Sequence, residues 1–212
     1  MYKTKGTSML KQLALATLVA STFTAANAYQ AEVGGTLAYQ DIDLPFADNG
    51  YKVAVDGTYY FAPVQVKSSP LNEAAFLNRA SNVNAAITHD DYDIVDVTTV
   101  QAGVEYFVPN SDFYVNGQVG YWDSEGEDDF TYKAEVGYLP TAGLLVAAGL
   151  QDLGEDTDVT LRSKYVTKVS SYDVNFEAGV VFADDEAFNL GADAYLDPTL
   201  SVGLGYTEAG YD

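Results

Sequence analysis

Apolar and polar residues alternate one by one along most of this chain. In "YQAEVGGTLAY" the positions Ala31, Val33, Leu37 and Tyr39 are apolar, with Gln30, Glu32 and Thr36 on the other phase. "YKVAVDGTYYF" repeats the arrangement, setting Tyr51, Val53, Val55, Tyr59 and Phe61 against Lys52, Asp56 and Thr58. A period of two belongs to the β-strand, whose successive side chains leave on opposite faces. Further runs lie around 83–88, 97–108, 113–122, 130–139, 144–151, 159–167, 174–182, 188–196 and 200–207. The pattern predicts eleven strands in an all-β fold.

The connections between these runs are of two kinds, in strict alternation. One kind is long and acidic: "DIDLPFADNG", "HDDYDIVD", "DSEGEDD", "DLGEDTD", "ADDEA" and the terminal "TEAGYD". The other is short and built of turn residues: "VPNSD", "LPTAG", "VSSYD", "LDPT". Short turns at one end and larger loops at the other are expected of an outer-membrane β-barrel, whose short turns face the periplasm. One connection on the short-turn side departs from the rule. "PVQVKSSPLNEAAFLNRAS" predicts a short helix, with Ser69 as cap, Pro70 at the first helical position and Leu71, Ala74, Ala75 and Leu77 forming an apolar stripe. Its polar face, Asn72, Glu73, Asn78 and Arg79, suits a place under the barrel mouth or within the lumen.

Alternation alone does not say which face turns inward, since a soluble barrel also alternates. Two features favour lipid on the apolar side. Aromatic residues of the apolar phase sit at strand ends (Tyr51 and Phe61, Phe113 and Tyr121, Phe130 and Tyr138, Phe176 and Phe182), as interfacial girdles require. The polar phase carries charges of both signs: Glu32, Lys52, Asp56, Glu105, Lys133, Glu135, Arg162, Lys164, Glu177 and Asp193. Around a watery lumen these are candidate pore-lining residues, and none has to be desolvated against lipid.

Composition narrows the class further. "MLKQLALATLVASTFTAANA" combines Lys11, an apolar run and Ala26-Asn27-Ala28, the three parts of a secretory signal ending at residue 28. Residues 29–212 then form one domain. Loss of Lys3, Lys5 and Lys11 leaves 7 basic residues against 31 acidic, a formal charge of −24. Such a charge repels nucleic acid. The absence of cysteine excludes disulfide scaffolds and thiol chemistry.

Several segments also resemble a known family: "YQAEVGG", "PLNEAAFLNRASNVNA", "YFVPNSDFYV", "AEVGYLP" and "LSVGLGY" are similar to the general porins of Gram-negative outer membranes, with "AAFLNRASNVNA" the most specific. The resemblance implies an outer-membrane barrel that passes small solutes and has no catalytic residue. Such barrels end in a strand with a terminal aromatic residue read by the insertion machinery, whereas this sequence ends in Asp212. Single-chain bacterial barrels have an even strand count, so eleven strands lead to the expectation that a twelfth lies beyond this sequence or that one of the eleven is misassigned.

Catalysis has little support. His89, the single histidine, lies in "THDDYD" near Thr88 and Ser81 with no nucleophile-elbow motif. "DSEGEDD" and "DLGEDTD" do not match a calcium-loop pattern, and neither a metal nor a cofactor is expected. The expected function is passive diffusion of small hydrophilic solutes with a mild cation preference. The alternatives are a closed barrel serving structure or surface contacts and a soluble barrel for an apolar ligand. Expected partners are outer-membrane lipid and lipopolysaccharide, small solutes and the insertion machinery.

Overall fold

The computed structural model describes residues 11–13, 17–19, 28–44, 47–92, 95–154, 156–183 and 186–208. Eleven long strands run in chain order: β1 (Ala28–Leu44), β2 (Ala47–Gln65), β3 (Asn82–Tyr92), β4 (Val95–Phe107), β5 (Phe113–Ser124), β6 (Glu127–Thr141), β7 (Leu144–Asp152), β8 (Thr157–Val169), β9 (Tyr172–Phe182), β10 (Ala187–Asp197) and β11 (Leu200–Glu208). Each pairs antiparallel with the next, giving one up-and-down sheet. The helix α1 (Leu71–Leu77) lies between β2 and β3. Much of the segment read as a secretory signal lies outside the described residues. Within it, Lys11–Leu13 and Thr17–Val19 pair with the outer edge of β1. Among the described residues no ladder joins β11 to β1. The terminal "TEAGYD" extends past the last described residue, Glu208.

Two of the long acidic connections need correction. "DSEGEDD" is no loop: β5 runs to Ser124 and β6 resumes at Glu127, leaving a turn of Glu125 and Gly126, both at positive φ. That is the geometry of the tight hairpin turns that match strand twist. β3 and β4 likewise continue to Tyr92 and from Val95, carrying most of "HDDYDIVD" into the ladder. The physical reason is that alternation marks a difference between two environments. Where both faces of a strand meet water the pattern fades while backbone pairing continues. The short turns agree with the sequence, and Gly143, at φ +77, closes one of them where a Cβ would run into the Val166 carbonyl.

The helix forms as expected but starts differently. Pro70 stands at the N-cap position, one residue earlier than the sequence placed it, and no side chain caps the helix, so Ser69 does not serve that role. The Leu71 N–H instead donates to the carbonyl of Pro198, in the turn between β10 and β11. This bond holds α1 at the short-turn end of the sheet. From there α1 packs inward: Ala74 meets Tyr29, Tyr60 and Val64, while Phe76 packs on Phe107, Tyr114, Leu139, Leu145 and Ala147. Strands from both halves of the sheet therefore wrap around one helix.

Candidate functional site: the charged interior

The two faces of the sheet have opposite chemistry, and the polarity is inverted relative to a soluble protein. Val33, Leu37, Val53, Ile87, Val119 and Leu204 are all exposed. Glu135 is 3 % exposed and the adjacent Val136 66 %. Exposed aliphatic rows of this extent are unfavourable in water and favourable in hydrocarbon.

The aromatic residues read as girdles fall on the outer face. Phe113 pairs with Tyr138 across the ladder at the short-turn end, ring centroids 5.6 Å apart, and Tyr121 with Phe130 at the acid-rich end, 5.2 Å apart. Tyr51, Phe61, Phe176 and Phe182 are also exposed, but only Phe182 ends its strand: Tyr51 and Phe61 lie inside β2 and Phe176 near the middle of β9. The stretch from Phe113 to Tyr121 spans roughly 26 Å of strand, or about 20 Å of membrane depth at a tilt of ~40°.

The ten charges of the polar phase lie on the face opposite the exposed apolar rows, and eight of them have a hydrogen-bonded or ion-paired side chain there. Arg162 on β8 reaches over β7 to Glu135 on β6: Nε donates to Oε1 at 2.8 Å and Nη2 to Oε2 at 3.0 Å. Nη2 also donates to the Tyr114 hydroxyl at 3.1 Å, which donates in turn to Glu105 at 2.7 Å. Asn82 completes that carboxylate at 2.9 Å, and Lys133 lies 3.3 Å from Glu135. The sequence permits the crossing because β7 presents only Ala147 and Gly149 beneath the guanidinium. A Cβ on Gly149 would strike the Ala134 carbonyl and come within 2.8 Å of Glu135 Cγ. The guanidinium fork supplies this buried carboxylate with directed bonds as well as a counter-charge.

A second group ties α1 to the wall. Glu73, 2 % exposed, accepts a bond from the Tyr195 hydroxyl at 2.6 Å and forms an ion pair with Lys164 at 2.9 Å. Lys164 also bonds Glu177 at 2.8 Å and lies over the Phe76 ring. The helix face for which the sequence left two places is thus divided: Glu73 and Asn72 turn to the sheet interior, whereas Asn78 bonds Gln65 and Arg79 pairs with Asp112 outside it. Between α1 and the wall remains a cavity of about 280 Å³ touched by Asn72, Glu105, Tyr114, Arg162 and Lys164. Lys52 pairs with Asp90 nearer the acid-rich end, and Asp56 and Asp193 lie over Gly34 and Gly203 of neighbouring strands.

This geometry has counterparts among known proteins. Residues 7–163 match the family described as "Putative general bacterial porin". The chain belongs to that family. Its structure is also similar to the crystal structure of the Acinetobacter baumannii outer membrane protein Omp33, with 29 % identity, a TM-score of 0.63 and coverage of 86 % of this chain and 78 % of that one. No curated protein matches the sequence significantly.

Porin membership accounts for a site without catalytic machinery. His89 projects on the outer face at the acid-rich rim, where its Nδ1 lies 3.0 Å from the Thr98 hydroxyl. Asp91 and Asp96 converge on it, all three exposed, with ligand-type atoms within 4.8 Å. Sequence reasoning did not single out Tyr60, Tyr114 or Tyr195 for the porin interior, and it left Glu73 with two possible places. A signal existed for Tyr114, which shares its phase with Asn116 and Gln118 rather than with Phe113 and Val115.

Proposed function

We propose that the protein lets small hydrophilic solutes diffuse passively across the bacterial outer membrane, with a mild preference for cations. The inverted polarity of the sheet carries this reading, since ion-paired side chains inside and aliphatic ones outside suit an aqueous lumen in lipid. Candidate lining residues are Lys52, Asp56, Glu105, Lys133, Glu135, Arg162, Lys164, Glu177 and Asp193, with Glu32. Six acids against four bases leave a modest negative excess, to which Glu73 adds. Rings of such charges set selectivity in channels generally.

In this reading the sheet closes into a barrel of about twelve strands, because an open edge in hydrocarbon strands its backbone groups. Residues 1–28 act as the export signal, and their removal frees the β1 edge that Lys11–Leu13 and Thr17–Val19 occupy. The short turns and α1 face the periplasm. Planar-bilayer recording provides the test. The expected result is a small ohmic conductance whose reversal potential in a KCl gradient favours K⁺ at low salt and less so at high salt. Silence, or anion preference, overturns the proposal.

A second reading, a closed barrel, draws on the seat of α1 within the interior. Replacing residues 67–80 by a short Gly-Ser linker separates the two. A large rise in conductance identifies the helix as the obstruction, and an unchanged trace leaves the open channel standing.

A further inference from the structure

The excursion of the chain into the interior leaves a notch in the wall. Between the end of β2 and the end of β4 the ladder should continue through β3, but β3 starts only at Asn82, where the chain has just returned through Arg79, Ala80 and Ser81. The notch encloses about 630 Å³, with the exposed rings of Phe61 and Tyr106 on its flanks. Pro63 and Pro109 stand at its margins, residues with no N–H for a missing ladder to leave unpaired. Its floor carries one charge pair: Arg79 Nη1 donates to Asp112 at 2.9 Å and to the Ser111 carbonyl at 3.0 Å. Arg79 is 35 % exposed and Asp112 50 %, and Nε and Nη2 of Arg79 have no protein acceptor among the described residues.

Arg79 occupies a position that ordinarily belongs to glycine. Its N–H donates to Phe76 and that of Ala80 to Ala75, which is the Schellman ending of α1, and its φ is +51. A side chain in the left-handed region is strained, so glycine is the residue this ending favours. A locally disfavoured arginine points to a task for the guanidinium.

We propose that the notch binds one glycerophospholipid with a zwitterionic headgroup of the phosphatidylethanolamine kind. The free edge of the Arg79 fork takes the phosphate, the Asp112 carboxylate takes the ammonium, and an acyl chain lies along Phe61 and Tyr106. A guanidinium matches phosphate geometry, and a carboxylate beside it penalises a headgroup that is only anionic. The notch is at the short-turn end, on the side of the Phe113–Tyr138 girdle, where headgroups of the periplasmic leaflet would lie. The inference rests on the membrane orientation of the sheet and not on its conducting ions.

Native mass spectrometry of the protein isolated from outer membranes in mild detergent, titrated with defined lipids, tests it. One phosphatidylethanolamine should be retained per chain, and phosphatidylglycerol about ten-fold more weakly. Arg79→Gly, which relieves the backbone, and Asp112→Asn should each weaken retention about ten-fold while heat-modifiable gel mobility shows a folded barrel. If Arg79→Gly does not fold, Asp112→Asn decides alone. No retained lipid, equal retention of phosphatidylglycerol, a preference for lipid A, or unchanged retention in the folded variants would each overturn the assignment.

Discussion

Glu135 and Val136 are adjacent in sequence, yet one lies in the ion-pair network and the other on the hydrocarbon face. The contrast makes single substitutions informative. Val104 pairs with Gly117, midway between the Phe113 and Tyr121 levels, so Val104→Arg should reduce folding free energy in vesicles by about 2–4 kcal/mol in urea titrations. Arg162→Ala strands the Glu135 carboxylate. Stranding a buried charge costs roughly 3–5 kcal/mol, and with Arg162 about a third exposed a loss of ~2 kcal/mol is expected. Adding Glu135→Gln should recover part of it, read in a double-mutant cycle.

At the level of elements, turns and the helix terminus decide where the strands stop. Gly143 and Gly117 form a matched pair for testing this. Alanine at Gly143 meets the Val166 carbonyl at a left-handed φ and should cost more than about 1 kcal/mol, whereas alanine at Gly117 meets nothing within 4 Å and should be near neutral. Urea midpoints in micelles distinguish them. The eleven strands were legible because each borders two environments and alternates accordingly. Their acid-rich extensions were not, since Asp123 opposite Asp128 and Asp91 opposite Asp96 are hydrated on both faces and carry no period. The helix was legible from Pro70 and its apolar stripe, but its start was not, because its first N–H is satisfied by Pro198, more than a hundred residues away.

For the whole molecule, the interior charges act as a sum. Glu105→Gln should move the reversal potential toward anions and Arg162→Ala toward cations, and both shifts should shrink as salt rises. Shifts of the same sign would show that these side chains do not border the ion path.

Which side chains share the apolar face, which share the polar face with its charges, and the eleven described strands were legible in the sequence alone, because a period of two is a local property of the chain. Tertiary structure decided what those charges do. Arg162 meets Tyr114 across 48 positions and Tyr195 meets Glu73 across 122, and these partners become neighbours only when the sheet curls around α1. Local periodicity holds no information about such distant pairings. It can place a carboxylate on the inner face, but only the curvature of the assembled sheet brings its counter-charge within reach.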